Sequence, residues 1–139
     1  MLRLPRLQFG ILFAERLGSF WSRIYVLFIA SFLIYGGMVH LGNIAGLTGT
    51  PWLETPLLWR ALDLVLLFFN LLTAWGLWRL VPWSVISLVL GLLTLQWIPY
   101  TLFREYFVAS SADIATLNSL IITEMVLVGI LLGLLWAKK

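Results

Sequence analysis

The chain has 139 residues, 62% of them hydrophobic and only 11% charged, with a formal net charge of +3. Soluble domains carry roughly 25% charged residues, and a domain of about 150 residues buries only about 70% of its unfolded surface, so this composition excludes an ordinary soluble fold and calls for a lipid bilayer as solvent. Nine basic residues scattered between apolar runs make no stripe for nucleic acid, and the lack of cysteine excludes disulfides, thiolate metal sites and Cys nucleophiles.

In chain order, the first twenty residues hold an apolar patch at residues 9–14 among Arg3, Arg6 and Arg16. The patch is too short for the apolar core of a signal peptide, and no small-residue cleavage pattern follows. It reads as a short amphipathic helix at the membrane interface, with a transit peptide as the weaker alternative. Four long apolar runs come next, at residues 24–46, 57–78, 83–103 and 114–136. Each has about 20 residues or slightly more, enough at ~1.5 Å per residue to cross a ~30 Å hydrocarbon core. Without water for backbone groups, such runs must be helical.

The breaks have local causes. Gly49, Pro51 and Pro56 end the first run, because proline lacks the N–H that a helix needs. Only residues 79–82 separate the second and third, which sets a tight antiparallel hairpin with Pro82 in the first turn of the third helix. Pro99 disturbs the end of the third, and Ser110 or Ser111 with Asp113 is placed to cap the fourth.

With the N-terminus inside, Arg3, Arg6, Arg16, Arg23, Arg79, Lys138 and Lys139 fall on the cytoplasmic side and only Arg60 and Arg104 outside. That is a positive-inside bias. Trp21, Tyr25, Trp52, Trp59, Trp78, Trp83, Tyr100, Tyr106 and Trp136 lie near span ends, where amphipathic rings anchor to the interface. The expected fold is therefore all-α: one polytopic four-helix bundle over residues 1–139, both termini cytoplasmic, in a bacterial inner or thylakoid membrane.

Apolar helices gain nothing hydrophobic by meeting in lipid, so close packing falls to small residues. Gly129 and Gly133 share a face of the fourth span, Ser87 and Gly91 one of the third, and Gly36 and Gly37 lie in the first. These mark either packing inside the bundle or docking onto a partner subunit or a second copy.

Ionisable groups at membrane depth are functional candidates by default. Counted from the outer ends of the spans at ~1.5 Å per residue, His40 and Asp63 lie about 9 Å deep, Gln96 about 10 Å and Glu124 about 15 Å. Each span thus offers one polar group to the outer half of the bilayer, with Asn43, Arg60, Asn70 and Tyr100 around them. Arg60 and Asp63 stand at i,i+3 and are spaced to pair. Glu124 has no charge on its own helix within a turn, so it either carries its proton or pairs with His40 or Arg60 from another helix. Gly36 and Gly37 precede His40 by four and three residues, leaving room on its face for another helix, a quinone head, or a haem or chlorophyll ring ligated by the imidazole.

No HExxH, GxSxG, P-loop or GxGxxG occurs, and His40, Asp63 and Glu124 lack the spacing of di-iron bundles, so neither catalysis nor a metal is expected. The order of features resembles the DoxX-like membrane proteins, through Gly36-Gly37 with His40-Leu41 and through Ala74-Trp75-Gly76-Leu77-Trp78-Arg79. The early acidic residue of their later helix is matched by Asp63 without its glycines. That resemblance implies an accessory of quinone-linked redox systems. The leading expectation is a non-catalytic accessory subunit or assembly factor of a larger redox or photosynthetic membrane complex. The alternative is a small quinone- or lipid-binding protein using His40, Asp63, Gln96, Glu124, Arg60 and Tyr100; an oligomeric channel or transporter ranks below both.

Overall fold

A computed structural model describes residues 15–137. Within them the chain forms four long helices, each apolar and long enough to cross a membrane: α1 (Phe20–Ile44), α2 (Leu57–Trp78), α3 (Pro82–Leu102) and α4 (Ser111–Trp136). The second matches its expected bounds, while the first begins four residues earlier and the fourth three residues earlier than hydropathy alone suggests. Polar Ser22 and Arg23, like Asp113, extend a helix past its apolar stretch. Of the expected N-terminal interfacial helix, residues 1–14 lie outside the described residues.

The helices run alternately up and down. α1 lies along α2, α2 pairs with α3, and α1 also meets α4. Antiparallel order is fixed by side chains that cross between helices. The Thr73 and Ser87 hydroxyls bond at 3.0 Å between α2 and α3. Tyr25 donates its hydroxyl to the Leu127 carbonyl at 2.9 Å between α1 and α4. Arg16 donates to the Leu135 carbonyl at 2.6 Å, supplying a cation to an orphan acceptor in the last turn of α4. Both ends of the described chain therefore sit at one end of the bundle.

Three of the predicted small-residue positions are close-contact sites inside the bundle. A Cβ on Gly36 would sit 3.0 Å from Asn70 Nδ2, and one on Gly37 3.0 Å from Leu71 Cδ2, so α2 packs against the glycines that precede His40. Gly91 receives the Phe69 ring, which a Cβ would overlap. Gly129 and Gly133 behave differently. A Cβ on either meets nothing within 4 Å, and both residues are exposed. Packing within the bundle does not account for that pair.

The core between α1, α2, α3 and α4 is built from Val26, Ile29, Leu77, Leu88, Leu131 and their neighbours. Leu17, fully buried, closes its end from the segment before α1. Outward faces stay apolar, with Phe28, Phe68, Ile122 and Val126 exposed. In water such a surface would drive association; in acyl chains it is the matching solvent.

Two helix ends stop with the same device. After α1, Gly46 N–H bonds Asn43 O and Leu47 N–H bonds Gly42 O. After α2, Leu80 N–H bonds Leu77 O and Val81 N–H bonds Gly76 O. Both are Schellman turns, which satisfy last-turn carbonyls through one left-handed residue. Gly46 holds φ 73° and Leu80 holds φ 54°. The α4 start is the capping box anticipated at Ser110: its hydroxyl accepts from Asp113 N–H at 3.2 Å, and Asp113 Oδ2 accepts from Ser110 N–H at 2.8 Å.

Candidate functional site

α1 ends one turn past His40, and α2 begins after the 3-10 turn Trp52–Glu54 that Pro51 initiates. This geometry brings three donors around one carboxylate. Asp63 Oδ1 lies 2.9 Å from His40 Nδ1 and accepts from Asn43 Nδ2 at 3.0 Å. Asp63 Oδ2 accepts the Trp52 indole N–H at 3.1 Å. His40 and Asn43, three residues apart, share one face of α1 and grip the same oxygen. A carboxylate on one ring nitrogen fixes imidazole orientation and leaves the other nitrogen for a ligand.

The expected Arg60–Asp63 ion pair does not form. Asp63 faces α1 and is 7% exposed, while Arg60 is half-buried and its Nε has no hydrogen-bond partner. The i,i+3 spacing permits the pair, but three neutral or imidazole donors on the inner side already occupy the acceptor.

Glu124 belongs to a second site. It pairs with neither His40 nor Arg60: its Oε2 accepts the Trp97 indole N–H at 3.0 Å, with the Gln96 side chain close beside it. Both neighbours come from a π-helical turn in α3, Leu93–Trp97, where Ile98 N–H reaches back to Leu93 O. Pro99 explains the turn. It has no N–H for the Leu95 carbonyl, and its ring would crowd that carbonyl in a regular helix. Widening the preceding turn relieves the crowding and rotates Gln96 and Trp97 toward α4. Gln96 and Glu124 are 6% and 5% exposed. Beside Glu124 lies a void of about 20 Å³ walled by Ile29, Leu88 and Val128, room for about one water.

Tyr100 lines a cavity with His40 and Asp63. Its ring packs edge-on against Phe107 at 5.1 Å. The six predicted site residues thus divide: His40, Asp63 and Tyr100 at one site, Gln96 and Glu124 at another, and Arg60 bonded to neither carboxylate.

Around His40 and Asp63 opens a cavity of about 610 Å³, lined also by Asn43, Thr48, Thr50, Trp52, Trp59, Tyr100 and Asp113. A second chamber of about 560 Å³ adjoins it, sharing His40, Trp59 and Asp113 and continuing over Val39, Phe107, Val108 and Leu117. The first chamber carries more polar surface than the second. Pockets of this volume suit small organic ligands. Among the described residues no three His, Cys, Asp or Glu side chains gather as a metal site.

Sequence reasoning missed the two indoles that bond the carboxylates. Trp52 reads from the sequence as an interfacial anchor and Trp97 has no reading there, yet each donates its N–H to an acid; the sole signal was placement, Trp52 after Pro51 and Trp97 two residues before Pro99. No protein-family model, curated protein or solved structure matches the chain.

Proposed function

We propose that this protein binds a small amphiphile, of the quinone or lipid class, in the cleft at the Asp63 end of its bundle. The observation that carries this reading is His40, held at one nitrogen by Asp63 in the wall of a roughly 610 Å³ cavity. A structural histidine buried for packing alone would leave no such space at its ring. The adjoining chamber offers apolar walls for a chain or ring while the first offers hydroxyls, an amide and the imidazole.

Arg16, Arg23 and Arg79 lie at the opposite end of the bundle from Glu54, Asp63, Glu105 and Asp113. By the positive-inside rule the cleft then opens in the outer leaflet and both termini are cytoplasmic. A bacterial inner or thylakoid membrane suits this orientation.

The test is direct. Reconstitute the protein in lipid nanodiscs and titrate a short-chain quinone and single-chain lipids, reading tryptophan fluorescence against empty discs. His40→Ala lowers affinity at least tenfold while thermal unfolding moves little. Unchanged affinity in that variant refutes the site. A visible absorption spectrum of the purified protein checks the haem and chlorophyll alternatives at His40.

A second reading rests on Gly129 and Gly133, which no other part of the bundle covers. Exposed glycines one turn apart allow close approach of another helix. They support an accessory or assembly subunit of a larger membrane complex, as the DoxX-like resemblance implies, with α4 as the docking face. Native electrophoresis after gentle solubilisation tests it: a lone species of about 16 kDa, or only a self-oligomer, refutes the accessory role.

A further inference from the structure

The cleft's walls discriminate among amphiphiles by charge. Neither chamber is lined by arginine or lysine. The ionisable groups on its walls are His40, Asp63, Asp113 and the phenols Tyr100 and Tyr106. His40 cannot make the site positive, because its Nδ1 is bound to the Asp63 carboxylate: the pair is neutral with an imidazolium and negative with an imidazole. Asp113 adds a further carboxylate, offset only in part by the roughly half-unit positive charge of the α4 N-terminus on which it sits. The rim has the same sign. Glu54 and Glu105 lie in the two turns at this end, so four acids outnumber Arg60 and Arg104 there. A phosphate or carboxylate head entering here meets repulsion and no cationic donor.

The remaining walls supply what a cation needs. Trp52, Trp59 and Tyr100 bring three electron-rich rings to the first chamber, and aromatic rings attract ammonium groups.

We infer that the ligand of this cleft is a cationic amphiphile, its ammonium head in the chamber of Asp63 and the aromatic rings and its apolar part in the chamber of Val39, Phe107 and Leu117. This rests on the amphiphile-binding reading above and narrows it, since a neutral quinone gains nothing from the acidic walls. The binding step is non-covalent.

The experiment holds the tail constant and varies the head. Dodecyltrimethylammonium, dodecanol and dodecyl phosphate, with a short-chain quinone beside them, are titrated against the protein in discs of uncharged lipid and against empty discs. The cation binds at least tenfold more tightly than dodecanol or the quinone, and the phosphate does not bind above the empty discs. Asp63→Asn reduces the preference for the cation over dodecanol to within threefold, and thermal unfolding in the same discs shows that the variant is folded. Should that variant fail to fold, the wild-type series alone decides. Equal or tighter binding of dodecanol, the quinone or the phosphate overturns the charge assignment and leaves the amphiphile site standing. Binding of none of the four removes the site itself, and the assignment with it.

Discussion

Asp63 and Glu124 are both buried carboxylates in an apolar bundle, and they are handled in opposite ways. Asp63 takes three side-chain donors and borders a cavity of about 610 Å³. Glu124 takes one, the Trp97 indole, and borders a void of about 20 Å³. More hydrogen bonds go to the acid that is nearer water. The difference teaches that bond count is a poor guide to how strongly such a group is built into the fold; what matters is whether its partners have anything else to bond when it is removed.

The largest effect follows from that distinction. Glu124→Ala strips the acceptor from Trp97 and enlarges a small void, terms of about 1–3 kcal/mol for the orphaned donor and at least 1 for lost packing, about 3 kcal/mol together. Asp63→Ala removes three bonds, yet His40, Asn43 and Trp52 can turn to water in the cleft, so its cost is about 1 kcal/mol. Unfolding by denaturing detergent in mixed micelles measures both. Asp63→Ala proving the costlier would erase the contrast between a tight and a roomy site.

The glycines extend the contrast to whole helix faces. Gly91→Ala pushes a methyl into the Phe69 ring and costs about 1–3 kcal/mol, the usual range for overpacking. Gly129→Ala meets nothing and gains up to about 1 kcal/mol from helix propensity. The same micelle titration checks them. A destabilised Gly129→Ala would mean that α4 packs inward there after all.

Helix existence was legible because lipid makes one rule dominate: a run of about 20 apolar residues has no option but to be a helix. The second span matched its bounds at both ends because Pro56 and the Arg79–Pro82 turn punctuate it. Depth was legible too, since counting along a helix locates His40 and Asp63 at one level. Azimuth was not. Which way Asp63 faces depends on the rotation of α2 against α1, set by Asn70 and Leu71 lying on Gly36 and Gly37, and no count along one helix yields it. The same limit hid the split of Glu124 from His40. There the missing fact was the π turn, which shifts the phase of Gln96 and Trp97 relative to a regular helix. Pro99 signalled a disturbance without its direction.

The smallest effects lie at the two Schellman turns, one at the cleft end and one opposite. Gly46 holds φ 73° in open space, so Gly46→Ala incurs left-handed strain of about 1 kcal/mol with no packing to offset it. Leu80 already tolerates φ 54° because its half-buried side chain packs on the Leu77 and Val85 core. Leu80→Gly relieves about 1 kcal/mol of strain and forfeits a similar amount of apolar contact, leaving stability within about 0.5 kcal/mol of the parent. Thermal unfolding of the two variants side by side reads the balance. A clear gain for Leu80→Gly would show that the leucine contributes nothing to the core; a clear loss would show that burial, not backbone geometry, governs how this hairpin closes.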